Sequence, residues 1–200
     1  MSEIKIKAKK LAVIFPGIGY TVDKPLLYYG RKLLKEAGYE ECIPVAYTYP
    51  GETRIRGNLE KMEEAFRILY ARAQECLKDV DWSAYDEILF LSKSIGTVIG
   101  AAFAEKNGLN GKKIRHVLYT PLTYTFQYHP QNAIGFIGTA DSWCVPSEVV
   151  RLSEKQGIFM HVYEQADHSL ETGNVLHDLD TLKDVMKKTK KYVYKELPLG

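Results

Sequence analysis

The residues of this sequence whose types could do chemistry together are Ser94, Asp141 and His168: a nucleophile, an acid and a base, in that chain order. Ser94 has the most telling context. An apolar run, Ile88 to Leu91, ends in Ser92-Lys93-Ser94-Ile95-Gly96, and a second run rich in small residues, 97–104, follows. The first run has the length of a buried strand, and the second continues long enough to be a helix packed on it. A serine on a tight strand-to-helix turn forms a nucleophile elbow, ordinarily Gly-x-Ser-x-Gly, which lifts its Oγ clear of the sheet. The turn also sets the Ile95 N–H at a helix N-terminus, where a developing oxyanion can be held. Helix and strand approach closely there, so small residues are needed two positions to either side. Those positions hold Ser92 and Gly96, so one of the two glycines is replaced. On these residues alone a strand-turn-helix with an ordinary capping serine reads equally well, and the other strand ends must decide.

Strands have to deliver all three groups to one edge of a sheet. Lys10-Leu11-Ala12-Val13-Ile14-Phe15 is apolar without alternation, which suits a strand covered on both faces. Pro16-Gly17-Ile18-Gly19-Tyr20-Thr21 follows as a loop. A helix capped by Asp23 comes next, with Pro25 in its first turn and Gly38 at its end. Residues 42–49 read as a strand in which Pro44 marks a late start or an edge. Asn58 caps a helix over 59–77 whose apolar face includes Met62, Ala65, Phe66, Leu69, Tyr70 and Ala73. After the Ser94 helix, which ends near Asn107-Gly108, residues 112–119 form a strand and 120–132 a connection rich in Pro, Thr and Tyr. Residues 133–138 form a strand ending at Thr139-Ala140-Asp141. A short helix over 146–152, a last strand over 157–163, a loop over 164–174 and a helix over 175–194 complete the chain. The alternation predicts an α/β fold: a three-layer α/β/α sandwich, with a mostly parallel, doubly wound sheet of about six strands in a single domain, 1–200. Sites in such folds lie at the carboxyl ends of strands. Those ends carry Pro16-Gly17-Ile18-Gly19, Ser94, Asp141 and His168.

Composition narrows the function classes. A net charge of +2 is too small to argue for nucleic acid or a membrane surface. Cys42, Cys76 and Cys144 are an odd set without CxxC spacing, which argues against a disulfide scaffold or a zinc site. No spacing among the histidines fits a metal cluster. Gly17-Ile18-Gly19 fails as a phosphate loop, because Val22 stands where GxGxxG needs its third glycine and no GxxxxGK[ST] occurs. Neither metal nor cofactor is expected. Residues 1–10 are polar and lysine-rich with no signal-peptide core behind them, and the apolar run 11–15 is too short to span a bilayer, so a cytoplasmic protein is expected.

With Ser, Asp and His in this order behind successive strands, the sequence resembles the α/β-hydrolase superfamily, in particular its small, nearly lidless members. The resemblance covers almost the whole chain from Leu11 onward. It rests on Ser92-Lys93-Ser94-Ile95-Gly96, Gly138-Thr139-Ala140-Asp141 and Asp167-His168-Ser169. Two departures stand out: Ser92 replaces the first elbow glycine, and Pro16 stands where many members have the histidine of a His-Gly oxyanion segment. The resemblance implies that Ser94 attacks an acyl carbon, that His168 takes and returns its proton, and that Asp141 fixes the imidazole tautomer. It also implies that the N–H groups of Ile95 and of the Gly17–Gly19 segment, Ile18 foremost with Gly17 beside it, bind the oxyanion, each such donor being worth about 3 kcal/mol. Asp167 is a rival acid, but it is adjacent to His168 and sequence neighbours rarely face each other; Glu164 is a weaker rival. His161 is expected to be packed in a strand, and His116, His129 and His177 to lie on the surface or on helices. Lys93 reads as solvated or packed, with an anionic substrate group as its alternative use.

Many members insert a lid after the strand that ends here at Tyr119. The connection 120–132 is too short for a helical cap, so an open pocket bordered by Tyr20, Tyr119, Leu122, Tyr124, Phe126 and Trp143 is expected. Its aromatic and apolar edges suit a small-molecule acyl substrate, an ester or thioester. Two other readings stay open at this point: a hydrolase-fold protein that only binds a ligand or partner, and a doubly wound nucleotide- or flavin-binding module.

Overall fold

Strands that are apolar at every position demand cover on both faces, and the fold supplies it. The computed structural model describes residues 8–47, 49–51, 55–110 and 114–195. Strands β1 (Lys10–Phe15), β2 (Glu41–Pro44), β3 (Glu87–Lys93), β4 (Ile114–Tyr119), β5 (Ala133–Gly138) and β6 (Phe159–Tyr163) form one sheet. Its order is β2-β1-β3-β4-β5-β6, and every pairing is parallel. Helices α1 (Pro25–Glu36) and α5 (Val175–Val193) cover one face. Helices α2 (Leu59–Leu77), α3 (Ile95–Lys106) and α4 (Pro146–Lys155) cover the other. This is the doubly wound α/β/α sandwich that the sequence predicts.

Alternation along each strand splits the core in two. Leu11, Val13 and Phe15 of β1 with Ile88 and Phe90 of β3 pack towards α2 and α3, whereas Ala12, Ile14, Leu89 and Leu91 pack towards α1 and α5. Helix α3 is buried along almost its whole length, which explains why its sequence is apolar all round rather than striped. Asn58 caps α2 as expected, its side-chain oxygen accepting the Lys61 N–H at 3.0 Å.

The local departures have physical reasons. Helix α1 starts at Pro25 behind Lys24 with no side-chain cap; Asp23 lies one residue too early and instead accepts a 3.4 Å hydrogen bond from Arg31. Proline at the first position removes one of the N–H groups that a cap would satisfy. Strand β2 is a four-residue edge strand that ends at Pro44, short of the expected 42–49, and residue 48 lies outside the described residues. The expected start of β4 at residue 112 also lies outside them. The connection after β4 winds into a 3-10 turn, Thr123–Tyr128, and α4 runs three residues past Leu152 to Lys155. His116 is not on the surface: it is fully buried in β4 with its ring edge-on to Phe90, and burial pushes its imidazole down to about 4. His161 is half-buried against the rings of Phe136 and Phe159, packed as expected. Among the described residues no helix is long and apolar enough to cross a membrane.

Candidate active site

The sheet order sets where chemistry can occur. The chain leaves β1 towards β2 and leaves β3 towards β4, so the loops after β1 and β3 diverge and open a crevice at their carboxyl ends. The 16–20 loop and Ser94 meet in that crevice. A Cβ added to Gly17 would lie 3.1 Å from the Ser94 Cβ.

Ser94 joins β3 to α3 with φ 58° and ψ −128°. Positive φ in a residue with a side chain costs on the order of 1–3 kcal/mol, and it persists where neighbours fix it. Here the Ser94 N–H donates to the Tyr119 carbonyl at 3.0 Å. The Ser94 carbonyl accepts the Thr97 N–H at 2.9 Å and the Thr97 hydroxyl at 2.7 Å. Gly96 is obligatory, because a Cβ there would lie 2.1 Å from the Phe15 carbonyl oxygen. At the other flank Ser92 is buried and its hydroxyl donates to the Val117 carbonyl at 3.2 Å, so a serine with its own partner fills the usual glycine position. The Ser94 side chain makes no capping bond to α3. Its Oγ instead lies 2.7 Å from His168 Nε2.

His168 Nδ1 lies 2.7 Å from Asp141 Oδ2, and the Asp141 side chain is fully buried. The other carboxylate oxygen accepts the Trp143 N–H at 2.9 Å. A carboxylate can only accept, so Nδ1 carries the proton and Nε2 presents a lone pair to the Ser94 hydroxyl. The acid and base loops are joined by the Ala140 N–H donating to the Ala166 carbonyl at 3.0 Å. The Trp143 ring stacks on the imidazole at 5.5 Å between centroids. Burial holds His168 below the ordinary histidine range; the hydrogen bond to Asp141 opposes that, and the nearby Lys93 ammonium adds to it. At neutral pH the imidazole is therefore the free base that a proton acceptor must be. Asp167, the rival acid, binds its own loop instead, its Oδ1 accepting the N–H groups of Ser169 at 2.6 Å and Glu171 at 3.1 Å. Glu164 accepts the Thr139 hydroxyl at 3.2 Å.

Ile95 and Ile18, the residues expected to offer N–H groups, both lie beside Ser94 in the lining of one cavity. Ile95 opens α3, where an N–H has no intrahelical partner. Ile18 lies in the tight turn after β1, and among the described residues its N–H makes no backbone hydrogen bond. Gly17, expected as a further donor, does not offer its N–H to the cavity: it donates to the Tyr20 carbonyl at 3.2 Å, within a small antiparallel bridge that shapes the turn.

The cavity over Ser94 has a volume of about 480 Å³. Tyr20, Leu122, Tyr124 and Trp143 line it, as the sequence suggests. Tyr119 and Phe126 do not. Tyr119 faces the α1/α5 layer because side chains alternate along β4, and its hydroxyl pairs with Thr189 at 2.9 Å. Phe126 turns under the 3-10 segment into the small core around Ile137 and Val149. The missing wall comes from α2, where Met62 and Phe66 face the cavity opposite Val98 of α3. Their spacing of four residues is the only sequence signal, and it is the same one that marks a core face. Among the described residues, no group of three or more His, Cys, Asp or Glu is placed to hold a metal ion.

No protein-family model and no curated protein matches this sequence. Solved structures do match its backbone. A Coxiella burnetii structure described as an alpha-beta serine hydrolase homologue aligns over 92% of this chain and 85% of its own, with 16% identity and a TM-score of 0.62. A Pyrococcus furiosus esterase aligns over 93% and 84%, with 12% identity and a TM-score of 0.60. A Xanthomonas campestris serine hydrolase described as lacking a lid aligns over 99% and 87%, with 12% identity and a TM-score of 0.59.

Proposed function

On the premise that this chain has the α/β-hydrolase fold, we propose that it is a serine hydrolase that cleaves a small ester or thioester through an acyl-enzyme intermediate. The observation that carries the reading is the unbroken relay from Asp141 Oδ2 to His168 Nδ1 and from His168 Nε2 to Ser94 Oγ, both at 2.7 Å, from three separate strand ends. Ser94 Oγ attacks the acyl carbon as its proton passes to His168 Nε2. The carbonyl π pair moves to oxygen, which the Ile95 and Ile18 N–H groups receive. Collapse of the tetrahedral adduct breaks the bond to the alkoxide or thiolate, and His168 returns the proton to that leaving group. A water, deprotonated by His168, then attacks the acyl-serine. A second collapse releases the acid and restores the Ser94 hydroxyl. Asp141 keeps its negative charge throughout and stabilises the transient imidazolium.

A fluorophosphonate probe tests the assignment directly. Ser94 is expected to be labelled, and Ser94→Ala to lose both labelling and turnover of p-nitrophenyl acetate. A folded wild-type protein that neither labels nor turns over would instead favour the non-catalytic ligand-binding reading.

A further inference from the structure

The proposed mechanism leaves one buried charge unused. Lys93 immediately precedes the nucleophile, yet it is 1% exposed. Its ammonium donates to the His168 backbone carbonyl at 2.7 Å and lies 4.8 Å from the centre of the Tyr20 ring, over its face. Tyr20 ends the turn that carries Ile18, and its hydroxyl is fixed by the Leu26 N–H at 3.1 Å. One side chain thus touches the loop after β1 and the loop after β6 while rooted in the elbow after β3. Burying an ammonium is costly unless specific partners offset it.

The His168 loop needs such a tether. Gln165 and Leu170, on either side of His168, both have positive φ. The loop's internal bonds converge on Asp167, not on His168. Among the described residues, the bond from Lys93 is the only one that the His168 backbone makes. Without it, only the hydrogen bonds to Asp141 and Ser94 and the Trp143 stack would hold the imidazole, on a segment flanked by two positive-φ residues.

We propose that Lys93 is a positioning residue, which clamps the His168 loop and the Tyr20 turn onto the nucleophile elbow. The proposal rests on the hydrolase reading for its kinetic consequence but not for its structural one. The tether holds the His168 backbone so that Nε2 stays in reach of Ser94 Oγ, and it holds the face of the turn from which Ile18 donates. The charge also faces Asp141, Asp167, Glu171, Cys144 and Tyr20, as well as the imidazole itself. Burial pushes the ammonium down to about 7, against the pull of those carboxylates, so the clamp weakens as the lysine loses its proton above neutrality.

Lys93→Met and Lys93→Gln in the full chain test this. Methionine matches the stem and removes both donor and charge. The substitution also leaves the His168 carbonyl without its donor, at a cost in stability, so a thermal melt accompanies the kinetics and the comparison is made on folded protein. The kcat of Lys93→Met should fall roughly tenfold to a hundredfold, the range for losing a charge-assisted hydrogen bond, with KM within about twofold. Lys93→Gln keeps an N–H donor and should recover part of kcat. In both variants the His168 imidazole, followed by NMR, should titrate at higher pH than in wild type, because a repelling cation is gone. That titration needs no substrate. If wild-type Ser94 fails to label, the hydrolase reading falls, while the titration still judges the tether. A Lys93→Met protein with kcat within about twofold of wild type and an unmoved His168 titration would overturn the proposal.

Discussion

Gly138→Ala should separate Asp141 from His168, the acid and base of the proposed relay. Gly138 ends β5, three residues before Asp141, and the Ala166 carbonyl, two residues before His168, passes directly over it. A Cβ at this position would lie 2.0 Å from the Ala166 oxygen and 2.5 Å from the carbonyl carbon. Ordinary contact begins near 3.4 Å, so the two backbones must part by about 1.4 Å. Both neighbours are backbone and cannot swing aside. The Ala140–Ala166 hydrogen bond, now 3.0 Å, would be lost, and the 2.7 Å contact between Asp141 and His168 would move out of hydrogen-bond range. A misplacement of about 1 Å costs on the order of a hundredfold in rate, and overpacking costs about 1–3 kcal/mol of stability. The control is Gly135→Ala in the same strand, where the added Cβ would meet the Met160 Cε at 2.4 Å. That methyl ends a flexible side chain and can rotate away, so Gly135→Ala should keep its activity. Steady-state kcat/KM on p-nitrophenyl acetate and thermal melts of both variants decide the matter. A Gly138→Ala enzyme within twofold of wild type, or a Gly135→Ala enzyme as impaired as Gly138→Ala, would refute the reasoning.

Asp141→Asn should keep the 2.9 Å bond from the Trp143 N–H but present an N–H to His168 Nδ1, forcing the proton onto Nε2. The fold should survive and kcat should fall by on the order of 10⁴, read by stopped-flow turnover beside an unchanged circular dichroism spectrum. His116 should make the fold acid-sensitive: its pKa is depressed by burial to about 4 and, among the described residues, neither ring nitrogen has a partner. As pH falls through about 6.5 the unfolded chain takes up the proton first, so about 3 kcal/mol of stability drains away between there and pH 4, and His116→Phe should flatten that stretch of a denaturation-versus-pH series. Met62→Trp should narrow the cavity over Ser94, where the proposed acyl group would sit. Each acyl methylene buried there contributes about 0.8 kcal/mol, roughly fourfold in kcat/KM, so wild type should prefer p-nitrophenyl butyrate, two methylenes longer, over acetate by about fifteenfold and the variant should lose that preference in a chain-length series.

What could be read from the sequence was whatever a strand end fixes. Ser94, Asp141 and His168 each follow an apolar run, and parallel strands send such positions to one edge of the sheet whatever the helices do. Helix placement is a different matter. Met62 and Phe66 share the apolar face of α2 with Leu69 and Ala73, and periodicity does not say where along that face the core ends and a cavity begins. Tyr119 failed as a rim residue because proximity to a strand end does not choose between the two faces, and the pleat sends it to α5. Lys93 and His116 are polar residues at the end and middle of apolar strands; their burial depends on neighbours that packing alone brings close.

On the proposed reading, chemistry and selection therefore sit on different layers of the molecule. Ser94, Asp141 and His168 follow β3, β5 and β6, while the cavity is walled by α2 and the 3-10 turn, tied to α3 by the Thr97–Thr125 hydroxyl contact at 2.6 Å. The floor of the cleft, Ile55, Val98 and Leu122, belongs to the buried core beneath it, so enlarging or shrinking it disturbs the packing that supports the elbow. Met62, Phe66, Tyr124 and Tyr128 are only partly buried and lean on that core from outside. Substitutions there change the room for an acyl group while leaving the relay untouched. With a connection after β4 too short for a helical cap, the α2 wall of the cavity is, on the proposed reading, the part of the fold free to select a substrate.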